Sequence, residues 1–116
     1  MDFQELTKFA REVNELSREK HWREDLCNFS ETIALCHSEL SKALEADRNG
    51  EPDYRIFATR EGDPPVRPEG VVIELANCII RILDWCGGRG VDIGGVIKAK
   101  HEYNKTQPLS HGYKKY

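Results

Sequence analysis

No basic excess, long apolar segment or paired-cysteine motif occurs in this chain of 116 residues. Its formal net charge of −3 is opposite in sign to what a nucleic-acid backbone attracts, so we expect no binding to a nucleic acid duplex. No apolar run approaches the about 20 residues that cross a bilayer, so we expect no membrane partner. The first residues, MDFQELTKFAREV, carry scattered charges, which predicts neither a secretory signal nor a transit peptide.

The cysteine and histidine positions give no metal or redox signature. The cysteines lie in apolar helical pattern without C-x-x-C spacing: Cys27, Cys36, Cys78 and Cys86. We interpret them as buried free thiols, which predicts a reducing, cytoplasmic location. The histidines are dispersed and form no Glu-x-x-His pair, which argues against a di-iron carboxylate bundle.

Apolar residues recur at helical spacing in four segments, and neither strand alternation nor an internal repeat is visible. The first predicted helix starts at the amino terminus and fades near Lys20. Its core face would be formed by Phe3, Leu6, Phe9 or Ala10, Val13 and Leu16. The second runs from about Glu24 to Ala46 and is ended by Asn49-Gly50. Its apolar stripe consists of Leu26, Phe29, Ile33, Cys36, Leu40 and Ala43.

The second half of the chain predicts two further helices. The central one covers Val71–Cys86 and is stopped by Gly87–Gly90. Asp92 is the predicted N-cap of the last helix, and the tail 107–116 either covers a site or frays. The apolar residues of that helix are Ile93, Val96, Ile97 and Tyr103. We therefore predict a single all-α domain over 1–116, a four-helix bundle with antiparallel neighbours whose core is completed by oligomerisation.

A long connection, residues 48–69, separates the second and central helices. It contains all but one of the prolines, and loops of this length are usually functional or disordered. It could be a lid, an arm reaching a neighbouring subunit or a mobile linker. Tyr54, Ile56 and Phe57 favour partial anchoring.

The central helix is apolar nearly all round except for one stripe. Its polar residues follow spacings of three, four and three, which puts them on one narrow face: Glu74, Asn77, Arg81 and Asp84. Such a stripe faces either water or an internal polar site. In the simpler interpretation it faces solvent, and Arg81 pairs with carboxylates of its own helix.

The second helix carries a pair of residues at the same spacing as Glu74 and Asn77. Glu39 lies on the shoulder of its apolar stripe, and Lys42 follows one turn later. Carboxylates at this spacing on two packed helices can converge on a hard cation such as Mg²⁺, which also takes a substrate phosphate. Such an ion would neutralise charge on that phosphate and polarise its bond during cleavage. The predicted cofactor is therefore Mg²⁺, with Mn²⁺ as the alternative.

Three segments, ALCHSELSKALEA, RPEGVVIELANCIIRILD and HEYNKTQPLSHG, resemble the MazG-like branch of the all-α nucleoside triphosphate pyrophosphohydrolases. The resemblance covers roughly residues 33–112 and includes the order of the elements. It implies a homodimer or tetramer that hydrolyses nucleoside triphosphates with Mg²⁺ to monophosphate and pyrophosphate. The implied role is nucleotide-pool cleaning, with deoxy or aberrant triphosphates as substrates.

The resemblance also implies catalytic and metal-binding residues. The family's metal motif is Glu-x-x-Glu followed by Glu-x-x-Asp, and Glu39 and Glu74 match its first positions. Either of these two would position the attacking water. Lys42 and Asn77 stand where the second acids belong. The predicted metal ligands are Glu39, Glu74, Asn77 and Asp84.

Five residues are candidate substrate contacts: Lys42, Arg81, Lys98, Asn104 and Lys105. Asn104 and Lys105 belong to the closing segment, which approaches the nucleotide in the family. Lys98 could meet a phosphate, although a lysine late in a helix more often complements the helix dipole.

Lys42 and Asn77 alter the chemistry that the family motif would supply. Asn77 still offers a carbonyl oxygen to a metal, whereas an ammonium has no lone pair and repels one. At about 4 Å and an effective dielectric near 20, two unit charges repel by roughly 4 kcal/mol. Lys42 could turn to solvent, contact a phosphate in place of an ion, or leave the site inactive. The alternative function is therefore a catalytically weakened or inactive nucleotide-binding protein of the same fold, ahead of a helical interaction module without a nucleotide site.

Overall fold

The computed structural model describes residues 1–21, 28–58 and 67–108. Its described part contains four α-helices and one pair of two-residue strands. In chain order these are α1 (Phe3–His21), α2 (Phe29–Arg48), β1 (Phe57–Ala58), β2 (Pro68–Glu69), α3 (Val71–Gly88) and α4 (Ile93–Lys105). The predicted all-α class is therefore confirmed, and no described helix is both long and apolar enough to cross a membrane.

Helix α3 is the centre of the arrangement. It packs against α1 on one side and α2 on the other, while α4 packs against α1. Asn14 contacts Asp84 and Ala10 contacts Gly87, so α1 and α3 are antiparallel. Phe29 meets Trp85 with ring centroids 5.2 Å apart, and Cys36 lies near Cys78, so α2 and α3 are antiparallel too.

The buried face of α1 agrees with the predicted one at Ala10 and differs elsewhere. Thr7, Ala10 and Asn14 are buried, whereas Phe9 and Leu16 are about half exposed. Ala10 lies against Gly87, where the backbones of α1 and α3 approach closely, and its small side chain leaves room for α3. Phe9 and Leu16 therefore lie beside the buried face, and the other predicted core residues, Phe3, Leu6 and Val13, are partly exposed.

Helix α2 begins later than predicted. Asn28 caps it by accepting a hydrogen bond from the Glu31 backbone N–H at 2.7 Å, so the regular helix starts at Phe29 instead of near Glu24. Leu26 and Cys27 lie outside the described residues. Its buried stripe is Thr32, Cys36, Glu39 and Ala43. Glu39 is thus at the centre of the packed face and not on its shoulder, while Phe29, Ile33 and Leu40 are exposed.

Two glycines determine how α1 meets its neighbours. Helix α3 continues through Gly87 and Gly88, two residues beyond the predicted end, and a Cβ on Gly87 would overlap the backbone carbonyl of Ala10. Gly94 lies in the first turn of α4, and a Cβ there would overlap the carbonyl of Phe3. Gly90, within the predicted stop, follows the end of α3 with a φ of +67°, which suits a residue without a side chain.

Asp92 caps α4 as predicted. Its carboxylate accepts from the Gly95 backbone N–H at 3.1 Å and from the Thr7 hydroxyl at 2.7 Å. The Thr7 hydroxyl oxygen in turn accepts from the Gly94 N–H at 2.9 Å. These bonds join the start of α1 to the start of α4.

The described part of the long connection is anchored by a backbone pairing of two short strands. β1 pairs antiparallel with β2, with Phe57 opposite Glu69 and Ala58 opposite Pro68. Tyr54 and Ile56 are exposed, so these two expected anchors are wrong. Phe57 takes part through its backbone, and residues 59–66 lie outside the described part of the chain.

The described core consists mainly of alanine and cysteine side chains, together with Val71 and Leu83. Cys36, Cys78 and Cys86 are buried and free, as predicted, and Cys27 lies outside the described residues. No large side chain in the described ranges is fully buried, whereas many Leu, Ile and aromatic residues of the helices are exposed. The protomer therefore leaves much of its apolar surface uncovered.

Candidate functional site

The polar stripe of α3 faces a cavity of about 720 Å³. Its polar floor is formed where α3 meets α2, and its wall comes largely from α1. The lining side chains are Phe9, Glu12, Val13, Leu16, Ser17, Lys20, Glu39, Lys42, Arg67, Glu74, Asn77, Ile80, Arg81 and Asp84. All four residues of the predicted stripe are among them, so the stripe lines a cleft between helices and is not simply a solvent-facing surface.

A buried ion pair forms the centre of the floor. Glu39 has only 4% of its side chain exposed, and Arg81 donates to its Oε1 from Nε at 3.1 Å and from Nη2 at 2.9 Å. Arg81 thus pairs across the helix contact and not along its own helix, which corrects the simpler interpretation of the stripe. A buried carboxylate requires such a partner because burial without one is strongly unfavourable.

Lys42 and Asn77 also face Glu39. The Lys42 ammonium lies 3.8 Å from Glu39 Oε1, and its side chain is 58% exposed. The Asn77 Nδ2 group donates to Glu39 Oε2 at 3.5 Å. Two cations and one amide therefore surround a single carboxylate.

Glu74 completes the floor, and its pKa is shifted in the opposite direction to the pKa of Glu39. Burial raises the pKa of Glu74, and the hydrogen bond and charge of the neighbouring Glu39 raise it further. Burial alone would raise the pKa of Glu39 as well, but hydrogen bonds with Glu74 and Arg81 outweigh burial, and the pKa is lowered. The two carboxyl groups are thus shifted in opposite directions, so Glu39 loses its proton more readily than Glu74. The Oε2 atom of Glu74 is buried and has no hydrogen-bond partner.

Asp84 is held by α1 at the far end of the stripe. Its Oδ1 accepts from Asn14 Nδ2 at 2.9 Å, and its Oδ2 accepts from Ser17 Oγ at 3.1 Å. Asn14 also donates to the Asp84 backbone carbonyl at 3.3 Å. Both oxygens of this carboxylate are therefore engaged by neutral donors, and the residue ties α1 to α3.

The four predicted metal ligands do not together fit a divalent cation in this arrangement. Glu39 is occupied by Arg81 with Lys42 close by, and Asp84 is occupied by α1. Only Glu74 offers an unpartnered buried oxygen, and Asn77 directs its amide nitrogen towards Glu39. Across the described residues no group of three or more His, Cys, Asp and Glu side chains could hold a metal ion.

Three predicted substrate contacts lie away from the cavity. Lys98, Asn104 and Lys105 belong to α4, which packs on α1, and none of them is among the lining residues. Lys105 pairs with Glu102 at 3.3 Å. His111 and Gly112, which belong to the closing segment of the resemblance, lie outside the described residues.

The chain matches no protein-family model, no curated protein and no solved structure. The resemblance to the MazG-like pyrophosphohydrolases therefore rests on its three segments, and membership of that family stays a prediction.

Sequence reasoning missed the contribution of α1 to this site. Phe9, Val13 and Leu16 line the cavity, although their spacing assigned them to a core face. Asn14 and Ser17 bind Asp84, although polar residues of an amphipathic helix were expected to face solvent. The available signal was the set Thr7, Ala10, Asn14 and Ser17, whose spacings of three and four place small and polar residues on one face.

Proposed function

We propose that this chain is a nucleotide-binding protein with a MazG-like helical fold, in which the cations Arg81 and Lys42 occupy the carboxylate of Glu39 that would otherwise serve a metal ion. One observation carries the proposal. Glu39, the residue that matches the first acid of the family motif, is buried and paired with Arg81 at 2.9 Å. A carboxylate neutralised in this way has little charge left for a divalent ion.

The cavity has the size and composition of a small-molecule site. Its volume of about 720 Å³ lies inside the range of roughly 300–1,000 Å³ that such sites usually have. Phe9, Val13, Leu16 and Ile80 give it an apolar wall opposite the charged floor. A nucleotide combines a flat apolar base with a charged phosphate chain, so both surfaces would find a complementary group.

Magnesium-dependent pyrophosphohydrolase activity is the second candidate function, and a different observation favours it. Glu74 Oε2 is buried without a partner in a side chain that lines the cavity, and burial raises the pKa of Glu74, which is the direction that suits a general acid. Mg²⁺ often binds proteins through only one or two carboxylates together with substrate phosphates. Glu74 and the Asn77 carbonyl oxygen are the residues that would hold such an ion.

A binding and turnover experiment separates the two candidates. The protein is mixed with common and damaged nucleoside triphosphates, with Mg²⁺ or with EDTA, and binding, monophosphate and pyrophosphate are measured. We expect nucleotide binding without turnover above that of a Glu74→Gln blank. Turnover above the blank would establish the enzyme instead, and the absence of any nucleotide binding would contradict the proposed function.

The variant Lys42→Glu/Asn77→Asp sharpens this test because it restores the acids of the family motif. If the parent is a binding protein, the variant should gain metal-dependent turnover from an inactive background. A parent with substantial activity of its own would instead show that Lys42 and Asn77 are tolerated in catalysis. Arg48→Glu provides a control, since Arg48 lies on α2, pairs with Glu45 at i−3 and does not line the cavity.

We also propose that the protein assembles as a homodimer or tetramer. The radius of gyration is 17.0 Å, whereas a compact domain of this length would have about 13 Å. Exposed apolar residues follow helical spacing on α3 (Leu75, Ile79 and Ile82) and on α2 (Phe29, Ile33, Leu40 and Leu44). Apolar faces of this size usually mark an interface. The buried free thiols support a cytoplasmic location for this assembly.

Sedimentation velocity tests the assembly. The parent should sediment as a dimer or larger species, and Ile79→Glu should shift it towards the monomer because a charge would be placed inside the contact. Ala99→Glu, at an exposed position on α4, adds the same single charge outside this face and serves as the matched control. A monomeric parent at micromolar concentration would contradict the oligomer.

A further inference from the structure

The floor of the cavity contains an ammonium and a guanidinium that contact the same oxygen atom. Lys42 Nζ is 3.8 Å from Glu39 Oε1, and Arg81 Nη2 is 2.9 Å from it. One negative charge therefore positions two positive charges, and both cationic side chains line the cavity. Where the family pattern would gather carboxylates around a cation, this chain gathers cations around a carboxylate.

Donors remain available on both side chains. Arg81 donates hydrogen bonds to Glu39 from Nε and from Nη2. Its Nη1 group has no acceptor among the described residues. The side chain of Arg81 is 39% exposed, so these N–H groups can be reached from solvent. The Lys42 ammonium has three N–H groups and only a long contact to Glu39. A guanidinium edge beside an ammonium presents the geometry that phosphate oxygens accept.

The floor presents two cationic side chains to the cavity. Arg81 and Lys42 contribute two positive charges close together, because both contact the same oxygen of Glu39. A divalent cation in the same space would meet both positive groups at close range.

We propose that Arg81 and Lys42 bind a phosphate group of the nucleotide directly, so that recognition by this protein requires no divalent metal ion. This inference rests on the proposed function and specifies it: the ligand class is a phosphorylated small molecule that binds in the absence of Mg²⁺. Glu39 is a positioning residue, because its carboxylate orients both cations and does not itself face the phosphate.

The unpartnered Oε2 atom of Glu74 adds a second requirement for the ligand. A buried acceptor without a partner is unfavourable, so a ligand that supplies a hydrogen-bond donor there gains affinity. A hydroxyl group next to the phosphate, as in the sugar of a nucleotide, would meet this requirement. Inorganic pyrophosphate offers the phosphate without a sugar hydroxyl, and we expect it to bind more weakly than a nucleotide.

Isothermal titration calorimetry tests the inference, with nucleoside triphosphates and inorganic pyrophosphate as probes in Mg²⁺ and in EDTA. We expect the dissociation constant of the best-bound nucleotide to be similar in the two buffers. Lys42→Ala should weaken binding in EDTA by about fivefold, since a partly exposed charged contact contributes on the order of 1 kcal/mol. Lys42→Glu should make binding dependent on Mg²⁺. Lys42 is exposed enough that neither change should affect folding.

Arg48→Ala is the matched control. Arg48 lies on the same helix and pairs with a glutamate at i−3, as Lys42 does, but does not line the cavity. Its removal should leave binding in EDTA unchanged. Binding only with Mg²⁺, or binding unaffected by Lys42→Ala, would overturn metal-free recognition while leaving a nucleotide-binding protein. Failure of every nucleotide to bind in both buffers would overturn the proposed function itself.

Discussion

Helix α3 is held on its two sides by contacts of different chemistry. On the α1 side, Asp84 accepts hydrogen bonds from Asn14 and Ser17, and every oxygen of its carboxylate has a neutral partner. On the α2 side, Glu39 is paired with Arg81, and the neighbouring Glu74 Oε2 has no partner. We refer to these as the α1 contact and the α2 contact.

The difference between the two contacts separates structural polar groups from functional ones. Each oxygen of the Asp84 carboxylate already has a neutral donor from α1, so the α1 contact serves to hold helices together. The α2 contact lies beside the cavity, and it leaves N–H groups of Arg81 and one oxygen of Glu74 without partners in the described residues. Incomplete satisfaction of buried polar groups is what a binding site requires and what a packing contact avoids.

The largest effect should come from breaking the α2 contact. Arg81→Ala leaves Glu39 buried without its charged partner, and we expect a loss of about 2–3 kcal/mol in the free energy of unfolding, since Arg81 is partly exposed. Urea unfolding measures it. Glu39→Met/Arg81→Met should recover most of the loss, because two apolar side chains need no partner. An Arg81→Ala protein as stable as the parent would show that water already screens the pair.

The packing of α1 against α4, which accompanies the α1 contact, should be disrupted by adding a single methyl group. Gly94→Ala places a Cβ against the Phe3 carbonyl, and α1 must shift to make room for it. We expect a loss of about 1–3 kcal/mol, even though alanine favours the helix by about 1 kcal/mol. Ala99→Gly, at an exposed position on the same helix, reports the helix propensity alone. A more stable Gly94→Ala protein would contradict the close approach.

Glu74→Gln should reveal the pH dependence of the α2 contact. The pKa of Glu74 is raised by burial and by Glu39, so the folded state holds this proton more tightly than the unfolded state. The free energy of unfolding therefore falls as the pH rises from the unfolded pKa of about 4.3 through the higher folded pKa. The variant should be more stable than the parent above this window and lose that advantage below it. Unfolding midpoints between acidic and neutral pH measure the difference, and parallel curves would contradict it.

Asp92 should give the smallest effect, and one of opposite sign. Hydrogen bonds from the Thr7 hydroxyl and the Gly95 backbone lower its pKa, so the folded state releases this proton more readily. Its stabilisation is present above the ordinary pKa of an aspartate and is lost as the pH falls through the lower folded value. Asp92→Asn should flatten the acid side of the stability profile in thermal unfolding. An unchanged acid side would show that the cap does not depend on charge.

The sequence predicted features that depend on spacing within one helix. The four helices, the Asp92 cap and the polar stripe of α3 follow from periodicity and capping chemistry, which are local properties. Glu39 and Glu74 were also assigned to one site, by their matching spacing on two helices and by the family motif that they resemble. These features needed no knowledge of how the helices are placed.

The features that were missed depend on contacts between helices. Arg81 was expected to pair within α3, where such pairs contribute about 0.2–0.5 kcal/mol, but a buried carboxylate on α2 attracts it more strongly. The buried face of α1 was missed because Gly87 and Gly94 let its backbone approach, so small residues fill the contact. Neither effect can be read from the hydrophobic pattern of a single segment.

The hydrogen bonds that join Thr7 to Asp92 and Asn14 to Asp84 also imply an order of folding during synthesis. Among the four helices α1 leaves the ribosome before the others, yet its partners are α3 and α4, which are synthesised some 70 to 85 residues later. Helices α2 and α3 are consecutive in the sequence, so they can associate while α4 is still being synthesised. Of the four helices, α1 is therefore translated first and buried last, and its face with Thr7, Ala10 and Asn14 stays accessible to chaperones until the final turn of α3 and the start of α4 have left the exit tunnel.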